Sequence, residues 1–67
     1  MNATQQMAAF RPQMLSYAAR QLGDDELAED VVQDAFVAAF DRADAFRGEA
    51  ALKTWVFAIL KNKIADA

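Results

Sequence analysis

Asp30 and Asp34 stand four residues apart, a spacing that puts both carboxylates on one face of a helix. Such a pair could begin a site for a hard cation, but hard cations need several oxygen ligands and no third ligand is in sight. The same spacing is ordinary on an acidic, solvated helix. The hydroxyls of Thr4, Ser16 and Thr54 have no activating base, because the chain contains no histidine. It contains no cysteine either, which removes thiolate ligands and disulfides. Gly23 and Gly48 stand alone and form no glycine-rich phosphate loop. The expectation is a protein that is not an enzyme and holds no metal and no cofactor.

A different chemistry is better supplied. Residues 46–63 interleave Phe46, Trp55 and Phe57 with Arg47, Lys53, Lys61 and Lys63. Aromatic rings offer stacking faces for bases and cations track phosphates, the combination that holds single-stranded nucleic acid. Gly48, beside Phe46 and Arg47, lets backbone come close to an extruded base. Each aromatic also has a simpler use as core, and Trp55 in particular lies on an apolar stripe.

The elements that must position these groups are helical. Two glycines and one proline interrupt an alanine-rich chain and divide it into three segments. Over residues 3–22, Met7, Phe10, Met14, Leu15, Ala18 and Leu22 recur at spacings of three and four. Pro12 either kinks that helix or starts a second one at Arg11–Pro12. Gly23 is placed to end it in the left-handed conformation. A second helix is predicted over 25–43, capped by Asp24 or Asp25, with Glu26 and Glu29 near its positive end. Its apolar half holds Leu27, Ala28, Val31, Val32, Ala35, Phe36, Ala38 and Ala39. Its polar half carries Val37 and Phe40 among carboxylates and an amide. That mixture is either a contact surface with an apolar centre or a further packing contact within the domain. A third helix is predicted from about residue 50, with Leu52, Trp55, Val56, Ile59 and Leu60 on one stripe. The chain stops inside this helix, so a native continuation is expected.

Length and charge bound the remaining possibilities. Sixty-seven residues make one domain with a small core. No apolar run approaches the ~20 residues of a membrane span, and no secretory signal precedes the first helix. A cytoplasmic protein without membrane insertion is expected. The net charge of −3 hides a polarity. Residues 24–44 hold eight acids against Arg42 alone, whereas residues 45–67 hold four bases against Glu49 and Asp66. Such a division is either two surfaces with different partners or two solvated faces of opposite sign.

The assembled residues resemble a known family. Ala28-Glu29-Asp30-Val31-Val32-Gln33-Asp34-Ala35-Phe36-Val37-Ala38-Ala39-Phe40 is similar to the region 2.2 helix of extracytoplasmic-function (ECF) sigma factors of RNA polymerase. Phe46-Arg47-Gly48-Glu49 and Thr54-Trp55-Val56-Phe57-Ala58-Ile59-Leu60-Lys61-Asn62 resemble regions 2.3 and 2.4. With Arg11-Pro12 and Leu22-Gly23-Asp24, the resemblance spans about residues 7–66. It departs from the family pattern at Ala50 and Ala51, where Ser or Thr usually caps the helix, and at Ala58, commonly basic.

The resemblance implies an all-α, three-helix bundle of the sigma region 2 type, filling residues 1–67 as a single domain without the carboxy-terminal promoter-reading domain. It implies that Asp30, Gln33, Asp34 and Val37 dock on the β′ clamp helices of core RNA polymerase. It further implies that Phe46, Arg47, Gly48, Lys53, Trp55, Lys61 and Asn62 hold the non-template strand of a melted promoter minus-ten element. Asn62 would bond a base edge, and Lys53 and Lys61 would hold phosphates. The expected function is transcription initiation by polymerase binding and promoter melting, with an anti-sigma factor as a possible further partner. The alternative is a helical module that contacts polymerase or an anti-sigma factor without reading DNA.

Overall fold

The computed structural model describes residues 3–40, 42 and 49–67. Phe46, Arg47 and Gly48, named above for DNA contact, lie outside the described residues. Four helices make up the described part: α1 (Ala3–Ala9), α2 (Arg11–Leu22), α3 (Asp25–Phe40) and α4 (Glu49–Asp66).

The first predicted segment is two helices, and Pro12 is the reason. Proline has no N–H to donate to the Ala8 carbonyl, and its ring would crowd that carbonyl in a continuous helix. In the first turn of α2 the missing donor costs nothing, because no carbonyl would have received it. Phe10 makes the joint with φ −84° and ψ −9°. Its N–H donates to the Met7 carbonyl at 3.0 Å, and its own carbonyl accepts from Met14 N–H at 3.0 Å.

Gly23 ends α2 at φ 68°, its N–H donating to the Ala19 carbonyl at 2.8 Å. Asp24 then caps α3: its Oδ1 accepts from Leu27 N–H at 3.1 Å and its carbonyl from Ala28 N–H at 3.0 Å. Asp25 and Glu26 occupy the first turn, where the helix dipole favours negative charge. α3 is described as far as Phe40, and Arg42 N–H bonds the Ala39 carbonyl three residues back, at 3.0 Å.

α3 is the central element, packed by α2 on one side and α4 on the other, while α1 rests against α4 and α2. Its buried residues are small: Ala28, Val31, Val32, Ala35 and Ala39. Short side chains let its neighbours approach closely. Larger groups from those neighbours, Met7, Phe10, Met14, Leu52, Val56 and Leu60, fill the space between. Leu15, Leu22, Phe36, Trp55 and Ile59 of the predicted stripes pack around this core half-buried, whereas Ala38 is exposed. No polar or charged side chain is buried among the described residues. None of the described helices is long and apolar enough to cross a membrane.

Candidate protein and nucleic-acid interfaces

The helix register of α3 turns its small apolar residues inward, and this leaves Asp30, Gln33, Asp34 and Val37 exposed together. At i, i+3, i+4 and i+7 they form one stripe about 10 Å long. Val37 is 63% exposed and is not among the hydrophobics packed against the described core. Phe40, at 50%, continues the apolar end of the stripe. With Met7, Ala8 and Phe36 it also walls a small apolar cavity of about 80 Å³ on the α1–α3 seam. At the acidic end, Asp30 and Asp34 share a shallow depression with Lys63 and Asp66 from the last turns of α4. The stripe therefore offers carboxylates beside exposed hydrocarbon, the composition of a contact surface. No group of three or more metal-ligating acidic side chains forms among the described residues.

On α4, burial of Leu52, Val56 and Leu60 sets the register and leaves two flanks. Lys53, Phe57 and Lys61, at i, i+4 and i+8, occupy one of them and with Thr54 line a depression of about 290 Å³. Trp55 and Asn62 stand on the other. On an ideal helix Trp55 lies about 160° from Lys53 and about 20° from Asn62. Trp55 is half-buried and packs against the core, while Lys53, Lys61 and Asn62 are exposed. The structure thus brings Lys53 and Lys61 together and sets Trp55 and Asn62 apart from them, on the far flank.

Phe57 and Lys61 are also one wall of a larger groove, about 740 Å³, whose opposite wall is α2. There Tyr17 meets Phe57 with ring centroids 6.2 Å apart and planes at 60°, a tilted aromatic pair. Lys61 Nζ sits 5.9 Å from the Tyr17 centroid, within reach of a cation–π attraction. Arg20 lines the same groove. Neither Tyr17 nor Arg20 is among the residues nominated from the sequence. The signal that finds them is the polar stripe of α2, where Gln13, Ser16, Tyr17, Arg20 and Gln21 recur at helical spacing. That stripe reads as a solvated face until α4 is set beside it.

Residues 7–67 match the profile of a family described as sigma-70 region 2. Among curated proteins, the chain is 49% identical over 61 residues to a probable RNA polymerase sigma factor of Haemophilus influenzae. That match covers 91% of this chain and 31% of the relative. It is 40% identical over 62 residues to RNA polymerase sigma factor CnrH of Cupriavidus metallidurans, covering 91% of this chain and 32% of that protein. The chain therefore spans about a third of the length of the curated relatives it matches. No solved structure matches it.

Proposed function

The chain belongs to the sigma-70 region 2 family, a family of non-enzymatic proteins, and from that premise we propose that it initiates bacterial transcription by docking on core RNA polymerase and holding melted promoter DNA. The observation that carries this reading is the separation of two exposed surfaces of opposite character. One is the acidic and apolar stripe of α3; the other is the cation–aromatic face of α4. The Asp30–Val37 stripe serves as the docking surface for the β′ clamp helices. A basic partner face would meet Asp30 and Asp34, with Val37 and Phe40 supplying the desolvated centre.

The minus-ten strand lies along α4. Lys53 and Lys61 hold phosphates, Asn62 bonds a base edge, and Trp55 supports that flank from its half-buried position. Phe46, Arg47 and Gly48 complete the capture of an extruded base. Stacking at roughly 1–3 kcal/mol per base offsets the few kcal/mol that unpairing costs. The motif Phe46-Arg47-Gly48-Glu49, followed by Thr54-Trp55 and Asn62, supports assignment to the ECF group, working in the cytoplasm and open to control by an anti-sigma factor.

Fluorescence titration of labelled minus-ten non-template strands, with and without core polymerase, tests the DNA half of this reading. Single strands should bind better than duplex, because an acidic domain with few cations releases few counterions from duplex DNA. Asn62→Ala should relax preference at one base, whereas Lys53→Ala and Lys61→Ala should weaken all sequences alike. Equal affinity for duplex and single strand, with no sequence preference even on polymerase, would leave only a protein-binding module.

A further inference from the structure

The groove between α2 and α4 holds the most concentrated unassigned chemistry of the described residues. Among the described residues, Arg20 and Lys61 are its only charged lining side chains; the rest of the described wall is aromatic, amide, hydroxyl or proline. In a chain with ten acids and seven bases, a groove lined by two cations and no carboxylate is fitted to an anion. The Tyr17–Phe57 pair gives it an aromatic floor as well. Phe57 and Lys61 line both this groove and the Lys53 depression, so the two adjoin at these side chains. A simple anion has no use for the rings, and an apolar ligand has none for the cations. A nucleotide uses both.

We propose that the α2–α4 groove is a second nucleic-acid subsite, in which Arg20 holds a backbone phosphate of the single strand and Phe57 and Tyr17 receive the adjoining base. The strand leaves the Lys53–Lys61 line, passes over Phe57 and ends against α2. Lys61 stands at the junction. Its position over the Tyr17 ring holds it facing the groove before the strand arrives. The proposal rests on the reading of α4 as a DNA-binding surface and adds a contact from a different helix, so the two can fail separately.

The test is a length series of labelled single strands, about four to about eight nucleotides, titrated against the wild-type chain, Arg20→Gln, Arg20→Lys and Lys53→Ala at two salt concentrations. Arg20 is exposed, so these variants should fold, and circular dichroism verifies that they do. The wild type should gain affinity as the strand lengthens. Arg20→Gln should lose that gain, bind the longest strand roughly tenfold more weakly, and show a salt slope shallower by about 0.7. Arg20→Lys should keep most of the gain, and Lys53→Ala should weaken short and long strands alike.

If Arg20→Gln follows wild type at every length while Lys53→Ala weakens binding, the groove proposal falls and the α4 surface stands. No binding by the wild type at any length would remove both. An acidic peptide of equal charge that binds as tightly as the strand, and loses its affinity in Arg20→Gln, would overturn the nucleic-acid assignment in favour of a protein partner.

Discussion

Individual side chains divide here by what their removal should disturb. Asp34 is exposed on α3 and shares its stripe with Asp30, Gln33 and Val37. Asp34→Lys should leave the thermal midpoint nearly unchanged, because surface substitutions usually stay within about 0.5 kcal/mol. The same substitution should weaken binding to a β′ clamp-helix fragment by roughly tenfold or more, since it sets like charges against each other at the contact. Calorimetric titration of the folded variant reads this directly, and unchanged affinity would exclude the stripe from docking. The stripe was legible in the sequence because a helical wheel needs only residue order. The groove was not. Tyr17 and Arg20 lie on α2 and Phe57 and Lys61 on α4, and nothing in residue order alone says that these two polar-looking flanks share a wall. The division of α4 was available from spacing, since Trp55 and Lys53 cannot face the same way. A resemblance that nominates residues one by one does not weigh that angle.

Helix ends carry their own predictions, because each is held by one or two backbone features. Gly23 sits at φ 68°, and a Cβ built there would meet nothing within 4 Å. Gly23→Ala should therefore cost only the strain of placing an L-residue in the left-handed region, about 1 kcal/mol. Chemical denaturation should show a lower midpoint with an unchanged slope, because the surface buried is the same. A loss several-fold larger would mean that the turn is constrained by more than its backbone angle. The junctions at Pro12, Gly23 and Asp24 were readable in advance because proline, left-handed glycine and an N-capping carboxylate act over one helical turn.

For the whole molecule, stability rests on one apolar core shared by all four helices. Leu60 is fully buried and contributes from α4 to that core. Leu60→Ala should cost about 2–5 kcal/mol, close to the total stability of a domain this small. The isolated variant should show helical circular dichroism that melts without a sharp transition, while Asp34→Lys melts as sharply as wild type. Sharp melting of Leu60→Ala near the wild-type midpoint would show that the core does not depend on α4. The general fold was legible because helical periodicity sorts apolar from polar positions; the packing order, with α3 innermost, follows from the small size of Ala28, Ala35 and Ala39. The absence of buried polar side chains among the described residues has an evolutionary consequence. Among the described residues the interior holds no polar side chain that would need a new partner, so a lineage can exchange the residues of either face without repairing the core. Docking specificity and base preference are then free to diverge on separate schedules, each drifting while the apolar interior stays nearly fixed.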